Sequence, residues 1–222
     1  MLIKSKSERW KKNRDYAYDT ESLKNFKQYT MRILNLACSA YRPPYPFINI
    51  DILKSIFPET TRERGQIDAE QNYIEHDLTK GIPFEDNSCD GIFLSHFLEH
   101  LDVQQAVSLI KECKRVLITG GVMVVSVPDA TYFREVYPRD KNENWQELFG
   151  VTDINNPIPT FMEAALFFEE HKQVLTEDSL WCILTMGGFD ETEIPDSEVK
   201  QILKNSISDN RNQFSLIKWV QK

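Results

Sequence analysis

The chain has 222 residues, 41% of them hydrophobic, and a formal net charge of −8. That is enough apolar matter for a full core, which excludes wholesale disorder, and the acidic balance speaks against a nucleic-acid binder, whose domain is normally basic. No apolar run approaches the roughly 20 residues of a membrane span.

The chain begins with a polar leader, residues 1–30, expected to be a solvated helix. Residues 1–32 hold nine Lys/Arg against four Asp/Glu, so any anionic partner is expected here. The start lacks the apolar stretch of a secretion signal. The four cysteines, Cys38, Cys89, Cys113 and Cys182, have no CxxC spacing. Both observations fit a cytoplasmic protein with reduced thiols.

From residue 31 short apolar runs alternate with helical patterns. "RILNLA" (32–37), "PFINIDI" (46–52), "NYIEHDL" (72–78), "DGIFLSHF" (90–97) and "GVMVVSVPD" (121–129) read as strands, rich in Ile, Val and Phe and bounded by turn residues. Several are apolar on both faces, as strands covered on both sides must be. Before the fifth, Val103, Ala106, Val107, Ile110, Cys113 and Leu117 mark one face of a helix. Asp102 with Gln105 reads as its capping pair and Gly120-Gly121 as its stop. A further helix fits "TEDSLWCILTMGG", from Thr176 to Gly187-Gly188, and the chain ends in a β-rich run, "NQFSLIKWVQK". Strands interleaved with helices predict a doubly wound, mostly parallel α/β sheet. Residues 130–172 interrupt the rhythm with aromatic residues among polar ones and prolines, as an insertion covering a small-molecule site would.

The first strand pair is unusual. "LNLACSAYRPPYPFINID" (34–51) has the shape of a strand, a turn and a second strand ending in a carboxylate, yet its turn contains no glycine. Thirteen residues separate Ala37 from Asp51, with prolines in the middle, too few for a crossover helix. The residues Ala37, Cys38, Ser39 and Ala40 are all small, so close backbone approach to a ligand is open to them, but a positive φ would strain them.

With its elements in that order, the chain resembles the class I S-adenosylmethionine (SAM)-dependent methyltransferases, and within them the type 11 branch. The resemblance rests on "ILNLACSA", "INIDI", "EHDLTKGIPFEDNSCDGIFLSHFLEHL", "ECKRVLITGGVMVVSVPD", "HKQVLTEDSLWCILTMGGF" and "FSLIKWV", in order over about 190 residues. It implies a seven-stranded Rossmann-like sheet and SAM as cofactor. It implies that Ala37, Cys38 and Ser39 pass under the methionine part and that Asn35 reaches the aminoacyl end. Asp51, with Ile52 beside it, would accept from the ribose hydroxyls. Asp77 would accept from the adenine amino group with Leu78 alongside, and Ser95 would close the pocket.

Methyl transfer to a hydroxyl needs alignment and a base. "SHFLEH" sets His96, Glu99 and His100 past the fourth strand, at the edge where such sheets bind ligands. His171 follows the insertion. His96 is the first candidate base, then His171, with His100 third. No metal is assigned. The spacing of His96, Glu99 and His100, with His171 as a fourth ligand, leaves a metal site as the alternative. The expected function is methylation of a small-molecule hydroxyl on a sugar, nucleotide sugar or polysaccharide precursor, by a cytoplasmic chain free to form a homodimer. The second reading is a degenerate fold acting as a scaffold. In that reading Tyr41 or Arg42 fills the cofactor path.

Overall fold

The computed structural model describes residues 30–39, 41–52, 72–135, 171–207 and 215–222. The leader and most of the aromatic insertion lie outside them. Strands β1 (Ile33–Leu36), β2 (Phe47–Asp51), β3 (Tyr73–Glu75), β4 (Cys89–Ser95), β5 (Leu117–Pro128) and β6 (Ser215–Gln221) form one sheet in the order β3-β2-β1-β4-β5-β6. Five strands run parallel, and β6 joins β5 antiparallel. Among the described residues there are six strands against the seven expected.

Helices cover both faces, which is why the inner strands carry apolar residues on both sides. Helices α1 (Val103–Val116) and α3 (Glu177–Met186) are buried on the face that holds Leu34, Leu36, Ile48 and Leu94, and the short helix α2 (Ala130–Glu135) follows β5. Helix α4 (Glu198–Ser206), not expected from the sequence, packs Val199, Ile202 and Leu203 on the other face, against Ile33, Phe47 and Phe93. Among the described residues no helix is long and apolar enough to cross a membrane.

Helix α1 starts as its sequence predicts. Gln105 N donates to Asp102 Oδ1 at 2.8 Å, and Asp102 N donates to Gln105 Oε1 at 3.1 Å. Its end corrects the reading. The helix stops at Val116, and Leu117 already belongs to β5. Gly120 and Gly121 lie inside the strand, where the register with β4 slips between Cys89↔Leu117 and Gly91↔Val122. Gly120 has φ 82, the left-handed conformation that favours glycine.

Arg115, near the end of α1, fixes the loop leading into β4. Its guanidinium donates to Glu112 (2.7 Å), Asp86 (2.8 Å) and the carbonyls of Phe84 and Ile82 (2.8 and 2.9 Å), while Glu112 also accepts from Ile82 N at 3.0 Å. The Arg115 hydrogen bond holds the Glu112 carboxyl below its ordinary value.

Candidate active site

The five parallel strands end at one edge of the sheet, where ligands bind in open α/β folds. The register sets those ends level. Leu36 pairs with both Ile50 and Leu94, Asp51 with Glu75, and Ser95 with Ser126. Because β6 is antiparallel, its first residue, Ser215, lies at the same edge opposite Pro128.

The turn after β1 adopts the conformations that glycine normally supplies. Ala37 has φ 54 and Ser39 φ 46. Left-handed backbone costs an L-residue about 1–2 kcal/mol, so the surroundings must hold it in place. They do so through hydrogen bonds from the backbone N–H groups. Cys38 N donates to Ile50 O at 3.3 Å, Ser39 N to Asp51 Oδ2 at 2.8 Å, and Tyr41 N to Cys38 O at 2.9 Å. Cys38 points inward. Burial first, and the Asp51 charge second, push its thiol up to about 12. Asp51 itself is buried, with Tyr73 Oη donating to its carbonyl at 2.6 Å.

Three buried amides tie the β1–β2 connection to the sheet. Only ten residues, 37–46, connect β1 to β2. Asn35 Nδ2 donates to Tyr41 O and to Asn49 Oδ1, both at 2.8 Å. Asn49 Nδ2 and Asn72 Nδ2 each donate to Pro43 O at 3.1 Å, and Asn72 also donates to Phe47 O. These amides satisfy a backbone carbonyl that no strand or helix partner serves among the described residues. The expected aminoacyl-end residue Asn35 is therefore in the wiring of the turn. Tyr41 lies against Phe93, with centroids 5.9 Å apart. Arg42 lies 4.0 Å over the Tyr73 ring, and its Nε donates to Ser39 O at 3.0 Å.

Beyond β3, Asp77 caps a 3₁₀ turn, Leu78–Lys80, accepting from Thr79 N at 3.0 Å and Thr79 Oγ1 at 2.6 Å. Leu78 is buried beneath it and Ile52 follows β2 half-buried. His76 hydrogen-bonds Gly81 O through Nε2 at 2.9 Å, and desolvation by burial lowers its pKa.

At the end of β4, Ser95 is half-buried and His96 takes φ 52, with its N–H donating to Ser126 O at 2.8 Å. His96 Nε2 is hydrogen-bonded to Ser215 Oγ at 2.8 Å, and Nδ1 lies 3.5 Å from Glu99 Oε1. A 3₁₀ turn, Leu98–His100, follows, and Glu99 within it is 1% exposed. His100 meets His171 edge to face, with ring centroids 4.8 Å apart. The three histidines singled out from the sequence thus converge on Glu99. Sequence reasoning missed Ser215 and Glu75, the latter beside Asp51 in register.

Comparison with known proteins shows what this arrangement is similar to. Residues 34–125 match the methyltransferase-domain family of the type 11 branch. No curated protein matches the sequence. Among solved structures, protein PH0226 of Pyrococcus horikoshii is similar at 16% identity and a TM-score of 0.55, over 90% of this chain and 85% of its own. An S-adenosylmethionine-dependent methyltransferase of Mesorhizobium loti is similar at 14% identity and a TM-score of 0.51, over 86% of this chain and 91% of its own. At such identities the structures show the fold alone, and the sequence match, over less than half of the chain, is a likeness to that family.

Proposed function

We propose that this chain, whose residues 34–125 match a methyltransferase domain of the type 11 branch, is a class I SAM-dependent methyltransferase that methylates a hydroxyl of a small acceptor such as a sugar, nucleotide sugar or polysaccharide precursor. The family match favours an enzyme over a scaffold built on the same fold. SAM supplies the methyl group, carried on a sulfonium. The residues fit such a cofactor. Left-handed backbone at Ala37 and Ser39 provides the turn usually built from glycine, and the buried carboxylate of Asp51 ends β2 next to it. In this reading Ala37, Cys38 and Ser39 hold the methionine part. Asp51 with Ile52 holds the ribose, Asp77 and Leu78 the adenine, and Ser95 closes the edge.

The observation that carries the chemistry is the Ser215–His96–Glu99 chain. A carboxylate only accepts hydrogen bonds, so Glu99 favours the tautomer with its proton on Nδ1 of His96. That leaves Nε2 to accept. A hydroxyl at this edge gives its proton to Nε2, directly or through Ser215, as its oxygen is methylated. The acidic charge favours a small acceptor over RNA. The test is calorimetric titration with SAM and its demethylated product, then methyl transfer to a panel of sugars and nucleotide sugars. Micromolar binding with transfer that depends on His96 supports the proposal. An absence of binding at millimolar cofactor overturns it.

A further inference from the structure

We propose that Glu99, His100 and His171 form a binding site for one divalent transition-metal ion at the carboxyl edge of the sheet. Their ligand atoms, one carboxylate oxygen and two imidazole nitrogens, all lie within 4.8 Å of one another. Ligands around a tetrahedral ion with bonds of about 2.1 Å sit about 3.4 Å apart, so closure asks for shifts of about an ångström.

The backbone is already fastened for this. His171 precedes a segment stitched onto the 3₁₀ turn that carries the other two residues. Lys172 N and Gln173 N donate to Glu99 O at 2.7 and 3.2 Å, and Gln173 Nε2 donates to Leu98 O and Leu101 O at 3.2 and 2.7 Å. Four hydrogen bonds thus join residues some 70 positions apart in sequence, and the chemistry they bring together is two imidazoles against a buried carboxylate. Two nitrogens and one oxygen suit zinc, cobalt, manganese or iron(II) better than calcium or magnesium, which take oxygen ligands. His96 stays outside the set. Ser215 holds its Nε2, and its Nδ1 faces the same Glu99 that the ion would share. Three protein ligands leave a coordination position open at the sheet edge, as in catalytic rather than structural zinc sites. An acceptor hydroxyl in that position would have its proton made more acidic before His96 removes it. This last role rests on the methyl-transfer reading, whereas the metal site does not.

The test uses the full chain, stripped with a chelator and dialysed, and titrated with Co²⁺ and Zn²⁺. We expect one equivalent bound, a visible Co²⁺ absorption band and a rise in melting temperature. His171→Gln and Glu99→Gln should each weaken binding by more than the roughly 10–100-fold that an outer-shell partner costs. Ser215→Ala should leave it unchanged. The circular dichroism spectrum identifies a variant that fails to fold, and the remaining one then decides. The proposal is overturned if the chain takes up no ion at millimolar metal, or if a folded variant binds as tightly as the parent. Metal binding without transfer to any acceptor would overturn the methyl-transfer reading and leave the site standing. SAM binding without metal binding would do the reverse.

Discussion

The carboxylate of Asp51 accepts the backbone N–H of Ser39 at 2.8 Å, across the gap between the ends of β1 and β2. One oxygen of the expected ribose ligand therefore also shapes the turn expected to hold the methionine part. The two halves of the pocket are built as a unit.

Asp51→Ala should weaken SAM binding by about 1.5–3 kcal/mol, the range for hydrogen bonds to a charged group. It should also lower the melting temperature, because Ser39 loses its acceptor. Calorimetry and thermal unfolding read the two effects separately. An unchanged affinity would remove Asp51 from the cofactor site.

Ser39→Gly should stabilise the protein. The serine is exposed and sits at φ 46, so glycine relieves about 1–2 kcal/mol of left-handed strain. Its greater freedom in the unfolded chain offsets about 0.5–1 kcal/mol of that. A net gain near 1 kcal/mol corresponds to roughly 2–4 °C in melting temperature. A lower melting temperature would refute the strain.

His96→Gln should spare SAM affinity and reduce turnover by roughly 10²–10⁴-fold, the usual share of general base catalysis. Ser215→Ala should cost less, since the imidazole remains. If the His96 variant turns over at the parental rate, the histidine is structural.

The Cys38 thiol, buried and pushed up to about 12, should resist alkylation in the native state at pH 8, whereas exposed Cys182 reacts. Mass spectrometry of the labelled peptides distinguishes them. Equal labelling would mean that the turn opens readily.

His76 makes stability depend on pH. Burial holds its folded pKa below the unfolded value near 6.5. Between the two values the unfolded chain binds the extra proton, so the contribution is complete above pH 6.5 and is lost as pH falls through the folded value. His76→Gln should reduce the drop in urea midpoint between pH 7.5 and pH 5.5. An identical drop in both proteins would disprove the assignment.

Much of this was legible from side-chain pattern alone. The strand cores of β1, β2 and β4 are runs of Leu, Ile and Phe that only a sheet buried on both faces accommodates, and the Asp102–Gln105 pair named the start of α1. Other features needed the third dimension. Gly120-Gly121 looks like a helix stop because glycine serves helix ends and strand bulges alike, and only pairing with β4 and β6 tells which. Helix α4 was overlooked although Val199, Ile202 and Leu203 recur at helical spacing behind Ser197, which caps it. Ser215 was invisible as a site residue because its place follows from β6 running antiparallel, and strand direction leaves no mark in composition. The convergence of His171 with His100 was foreseen from the sheet edge, while their junction with Glu99 depends on hydrogen bonds from Lys172 and Gln173 that no motif encodes.

The short β1–β2 connection also bears on how the chain folds. Asn35 and Asn49 are 14 residues apart, whereas contacts between the β1 and β4 regions span 58. Closing the shorter loop is easier by about 1.2 kcal/mol, at roughly 0.6 for each doubling of length. Parallel strand pairs are ordinarily slow, non-local contacts. Here one of them is local and is reinforced by amides from both strands, which makes it a natural early event in folding. The β1–β2 turn would then belong to the nucleus, and substitutions in residues 37–46 would change the folding rate.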